Sequence, residues 1–184
     1  MHIKKNIITV FTLGLLSVLL SVFLSCTSSL DTYLGKTADQ GSRIALNGGS
    51  HDGVWQTDDL TVNYSYSRNP NSLQISGDVS LSNKMKDASS IVQTFFLQVN
   101  FLNANGQALE TKELAVAGYR EEITKWDFDH TFELPPRTSA MAFSYTGQMG
   151  EGAGEGSSKP FWRDPFHKWG MSWRPFYEAN GVKA

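Results

Sequence analysis

Leu60-Thr61-Val62-Asn63-Tyr64-Ser65-Tyr66, then Arg68-Asn69-Pro70-Asn71, then Leu73-Gln74-Ile75-Ser76-Gly77-Asp78-Val79-Ser80-Leu81: the fold is decided here. Side chains alternate across an extended chain with a period of two, so Leu60, Val62, Tyr64 and Tyr66 share one face. Leu73, Ile75, Gly77, Val79 and Leu81 share another. The residues between the two runs are turn formers, and the whole predicts a hairpin with one buried face.

The same texture continues on the C-terminal side. Phe95, Leu97, Val99 and Phe101 alternate with Gln98 and Asn100, and Asn103-Ala104-Asn105-Gly106 leads into Gln107 to Val116. An Asn-Gly step between two such runs predicts a second hairpin. Trp126, Phe128, His130, Phe132 and Leu134 share a face and are followed, after Pro135-Pro136, by Met141, Phe143 and Tyr145, which predicts a third pair. Val54-Trp55-Gln56 supplies a seventh strand. Short strands at regular spacing, punctuated by turns and lacking a helical period, predict an all-β antiparallel sandwich of immunoglobulin-like type over residues 53–149. The single cysteine excludes its disulfide-bonded versions and any thiolate metal cluster.

Leu73-Gln74-Ile75-Ser76-Gly77-Asp78-Val79, Val99-Asn100-Phe101-Leu102-Asn103 through Gly106, and Leu134-Pro135-Pro136 follow one another in an order that resembles the FxLYD-type immunoglobulin-like modules of bacterial surface proteins. The resemblance covers about 75 residues, although the Phe-x-Leu-Tyr-Asp string is itself absent. It implies a small immunoglobulin-like sandwich.

The N-terminus carries an address. Lys4 and Lys5 precede eighteen uncharged residues, Ile7 to Leu24, followed by Ser25-Cys26-Thr27-Ser28-Ser29. A basic start, an apolar run and small residues at its end make a secretory signal, here over residues 1–25. Phe23-Leu24-Ser25-Cys26 resembles the lipobox of bacterial lipoproteins in Ser25 and Cys26, while Phe23 and Leu24 depart from its preferred types. The resemblance implies that Cys26 becomes the first residue of the mature protein and carries acyl chains. Two or three such chains suffice for stable attachment to a membrane. An uncleaved helical anchor is the alternative, because eighteen apolar positions reach the shortest membrane-spanning length. Thr27 is not the aspartate that favours inner-membrane retention in enteric bacteria, so the resemblance implies the outer membrane in preference to the inner.

From Cys26 to Asp52 the chain is rich in Ser, Thr, Gly, Asp and Asn, a composition that predicts a flexible tether over residues 26–52, with Ile44 to Leu46 able to dock as a short strand. Residues 150–159, Gly150 to Lys159, read as a Gly/Ser linker. Their glycine spacing is no phosphate loop, because Lys159 is followed by Pro160 and two glutamates would repel phosphate. Residues 160–184 form an aromatic tail expected to be irregular, with Trp162, Trp169 and Trp173 interleaved with Arg163, His167, Lys168 and Arg174. Three roles fit it: a cover over an open edge or face of the sandwich, a recognition segment for a protein, or a set of rings at a membrane interface or on sugars.

Chemistry-bearing residues are scattered. His51, His130 and His167 show no ligand spacing, and His130 sits on a strand whose neighbours face inward, where a hydrogen-bonded structural role is expected. Neither the His-Glu-x-x-His nor the Gly-x-Ser-x-Gly signature occurs. Asp58-Asp59, Glu121-Glu122 and Asp127 with Asp129 are the paired carboxylates, and the last pair points away from the apolar face. A formal charge of −2, or −4 once residues 1–25 are removed, offers no polyanion-binding field, so no nucleic-acid partner is expected. The sequence therefore predicts a lipid-anchored cell-envelope protein, without cofactor or metal, that acts as a non-catalytic binding or assembly module. Its partners would be the membrane through Cys26 and an envelope protein through Trp162, Arg163, Trp169, Trp173 and Arg174. A carbohydrate-binding module using the tail tryptophans, or a small envelope hydrolase, are the alternatives.

Overall fold

The computed structural model describes residues 33–88, 91–122, 125–150 and 158–166. The elements are β1 (Ile44–Ala45), β2 (Gly49–Gln56), β3 (Leu60–Arg68), β4 (Ser72–Leu81), α1 (Asn83–Ala88), β5 (Ile91–Leu102), β6 (Ala108–Glu122), β7 (Lys125–Glu133), β8 (Ala140–Gly150) and β9 (Lys159–Arg163). They form a β-sandwich. One sheet has the order β2-β3-β4-β7; the other has β6-β5-β8, with β1 and β9 both on the far edge of β8. Every pairing is antiparallel.

The deciding hairpin forms as its alternation requires. β3 and β4 pair from Leu60↔Leu81 to Arg68↔Leu73. Leu60, Val62, Leu73, Ile75 and Val79 are fully buried, and they meet Phe95, Leu97, Val99, Phe101, Met141 and Phe143 from the other sheet. Aromatic rings bridge the two layers, among them Trp55 to Phe143 at 5.4 Å, Tyr64 to Phe143 at 5.1 Å and Phe95 to Trp126 at 5.1 Å. Gly77 is needed at the middle of β4, because a Cβ there would strike the Asn63 carbonyl oxygen and the Phe128 ring. The second hairpin, β5 with β6, closes through Asn103 to Gly106, where Gly106 takes a positive φ of 80°. The Asn103 side-chain oxygen accepts the Asn105 and Gln107 amides across that turn.

The third pair does not form. β7 pairs with β4, and β8 pairs with β5, so the strands flanking Pro135-Pro136 lie in opposite sheets. Proline has no amide to donate, so the ladder cannot continue through this dipeptide. The chain turns there instead, with Arg137 at a φ of 71° and the Thr138 hydroxyl donating to the Pro135 carbonyl at 2.7 Å. The Ser139 amide then reaches the Leu102 carbonyl of the other sheet. The result places β4 beside β7 and β5 beside β8, the crossed neighbours of an immunoglobulin-type sandwich.

Two segments expected to lie outside the sandwich belong to it. Tyr33 to Asp52, read as part of a flexible tether, packs along the sheets: the Gly35 amide donates to the Ala108 carbonyl and the Ala108 amide to the Lys36 carbonyl, β1 pairs with Met141 and Ala140, and β2 is a full strand. Lys159 to Arg163, read as the end of a linker and the start of an irregular tail, is β9. Pro160 is tolerated there because β9 is an edge strand. The Phe161 ring is buried against Phe95 and Tyr145, which holds the strand to β8.

A second, smaller core lies on the outer face of the five-stranded sheet. Ala38, Leu102, Ala108 and Ala142 are buried there, with Tyr33 and Phe166 packed on them. The Tyr33 and Phe166 rings stack at 4.8 Å, and the Asp39 amide donates to the Pro165 carbonyl at 2.7 Å. Both ends of the described chain therefore meet on one face.

Candidate interaction surface

The two outer faces of the sandwich differ in chemistry. On the five-stranded sheet, cross-strand register aligns Trp162, Thr146, Phe96 and Val116 in one row across β9, β8, β5 and β6. Trp162 is 41% exposed and Val116 50% exposed, and Phe96 is half-buried between them. The adjoining row is Pro160, Gln148, Thr94 and Gly118. On the other side come Ser144, Gln98 and Glu113, then Ala142, Asn100 and Thr111.

Asn100, which alternates with the apolar residues of β5, is fully buried on this face. Its amide donates to the Ala142 carbonyl at 3.2 Å and to the Ser144 hydroxyl at 2.9 Å, and its oxygen accepts from Thr111 at 2.8 Å. The group is saturated from three strands, which is the condition for burying an amide without a large loss of stability.

The outer face of the four-stranded sheet is polar and acidic. A shallow groove of about 510 Å³ runs over Asp52, Val54, Asn63, Ser65, Ser76 and Asp78. Its side chains bond to one another: Ser65 donates to Asp52 at 2.5 Å, and Asn63 donates to Asp78 at 3.0 Å. Asp78 and Asp127 face each other across β4 and β7, with Lys125 3.2 Å from the first and 3.8 Å from the second. Asp129 is exposed one row away. Among the described residues no three His, Cys, Asp or Glu side chains are grouped to hold a metal ion.

Titratable groups between the sheets serve the fold. The His130 ring nitrogen Nε2 lies 2.8 Å from the Leu114 carbonyl oxygen, so it carries the proton and donates across the sandwich. His51 similarly contacts the Gly48 carbonyl at 3.1 Å. Tyr145 donates to the Asp59 carboxylate at 2.6 Å and sits 3.3 Å from the Thr57 hydroxyl, joining the β2–β3 loop to the opposite sheet. Burial first, and the bond to Asp59 second, push the Tyr145 hydroxyl well above its usual pKa of 10.0.

Of the residues singled out in the sequence, Trp162 and Arg163 are described, and they occupy successive positions of β9. Strand geometry sends them to opposite sides: Trp162 to the outer face, Arg163 to the side of Phe161 and Tyr145. Cys26, Trp169, Trp173 and Arg174 lie outside the described residues. Phe96 and Val116, the companions of Trp162, were not singled out. The signal for Phe96 is its adjacency to Phe95, since two successive aromatics on a strand must face opposite ways. Val116 is obscured because register shifts between β5 and β6 break its alternation.

Comparisons with known protein families, curated proteins and solved structures find no match to this chain.

Proposed function

We propose that this protein is a lipid-anchored module of the cell envelope that binds or assembles with other envelope components and performs no chemistry of its own. The observation that carries the reading is the leader: two lysines, eighteen uncharged residues, and Ser25-Cys26 seven positions before the first described residue of the sandwich. Acylation at Cys26 would attach the sandwich to a membrane from outside the cytoplasm, in the outer membrane by the identity of Thr27. The sandwich supports a binding role through its unequal faces, one apolar with an exposed tryptophan and one lined by aspartates. Its inner polar groups favour the same reading, because Asn100, His130 and Tyr145 are each held in structural hydrogen bonds.

The test is the intact mass of the membrane-extracted protein beside a Cys26→Ala control. A chain lacking residues 1–25 and carrying acyl groups, with neither change in the control, is the expected result. An unmodified chain retaining those residues would overturn the lipid anchor.

A further inference from the structure

We infer that the outer face of the five-stranded sheet, centred on Trp162, Phe96 and Val116, lies against the lipid surface to which the chain is anchored. The inference rests on the lipid-anchor reading and adds to it the orientation of the sandwich. The first observation is length. Seven residue steps separate Cys26 from Tyr33, the first described residue of the fold, so the two are at most about 25 Å apart. A tether running to Asp52 would have allowed more than three times that reach, so the docking of Tyr33 brings the sandwich closer to the anchor.

The second observation is where that tether arrives. Tyr33 packs on the outer face of the five-stranded sheet with Phe166, Leu102 and Ala142. The exposed row of Trp162 and Val116 lies further along the same face, at the level of Phe96, six residues or about 20 Å from Leu102 on β5. An anchor within reach of one end of a face holds that face nearest the membrane.

The third observation is charge. The opposite face carries Asp52, Asp78, Asp127 and Asp129 against Lys125 alone among its central rows. In the cross-strand rows from Thr94 to Leu102 the near face has one formal charge, Glu113. Lys36 and Asp164, of opposite sign, both lie beside Tyr33, the Lys36 ammonium 5.3 Å from the ring centre. An anionic lipid surface repels the aspartate face and accepts the other, and a partly exposed tryptophan suits the headgroup region.

The test uses the membrane-extracted protein expressed from the full-length chain, with Val116→Cys or, in a separate variant, Thr146→Cys as a reporter on the row and Asn63→Cys on the opposite face. Each is labelled with an environment-sensitive fluorophore and reconstituted in phosphatidylethanolamine vesicles containing phosphatidylglycerol. An acylated Cys26 does not react, so one label per chain together with an intact mass that lacks residues 1–25 and carries acyl groups means that the anchor reading stands; a mass without them means that it has failed, whatever the orientation. With one label, the expected result is several-fold stronger quenching at 116 and 146 than at 63 by a headgroup nitroxide lipid, with the reverse order for a water-soluble quencher. Equal quenching at both faces, or free access of the soluble quencher to 116 and 146, overturns the inference. Shielding of 116 and 146 from both quenchers also overturns it, since that places protein, either residues 167–184 or a second copy, over the row.

Discussion

Asn100 shows how much one polar residue can decide. Its amide joins β5 to β8 through Ala142 and Ser144, and its oxygen takes the Thr111 hydroxyl of β6. Asn100→Ala would leave those buried partners unsatisfied, at a cost of about 2–4 kcal/mol, measured as a lower urea midpoint with an unchanged slope. Tyr145 acts between the layers, and its effect depends on pH. The folded hydroxyl holds its proton more tightly than the unfolded one, whose pKa is 10.0, so its contribution is complete below that value and declines as pH rises above it. Tyr145→Phe should lower stability by about 1–3 kcal/mol at neutral pH and make the alkaline decline shallower, by up to about 1.4 kcal/mol per pH unit. Parallel denaturation series at pH 8 to 11 on both proteins, with about pH 10 as the onset, would check the sign.

At the scale of elements, the alternation in Leu60 to Leu81 was enough to specify a hairpin, because a one-residue slip of β4 along β3 would expose Leu73, Ile75, Val79 and Leu81 together. Pairing across Pro135-Pro136 was not legible. A period of two says which side chains share a face, and nothing in it says which sheet the next strand enters. β9 was hidden for another reason: Phe161 is its one fully enclosed side chain, and a single buried residue makes no period. The same weakness sets its stability. Phe161→Ala should release β9 from β8 while the layers beneath stay paired, because a strand held by one ring opens locally at lower cost than the whole domain unfolds. Hydrogen exchange would then accelerate across Lys159 to Arg163 and stay slow in β5. Slow exchange in both would mean that backbone pairing along β8 holds the strand unaided. Of the candidate interaction surface, Trp162 was visible by composition, but its partners became visible only when register set Phe96 and Val116 beside it.

For the molecule as a whole, the consequential feature is that the chain enters and β9 continues on the same face. Without the Tyr33–Phe166 stack, the small alanine-rich core beneath would be open to water on the outer side of β5 and β8. The segment from Tyr33 to Ala38 is held to Gly106–Ala108 by three backbone hydrogen bonds, and on it the Tyr33 ring and the segment from Asp164 to Phe166 cover each other, so each ring is worth more when the other is in place. The segments are also joined directly, by the Asp39 amide on the Pro165 carbonyl. This predicts non-additivity. Tyr33→Ala and Phe166→Ala should each destabilise the protein, and the double variant should lose less than the sum, with a coupling of about 0.5–1.5 kcal/mol. A thermodynamic cycle from four urea titrations measures it. Coupling within that range would mean that the two segments close the face as one unit. Strict additivity would mean that they dock independently, and Tyr33 could then leave the face while Phe166 stays in place.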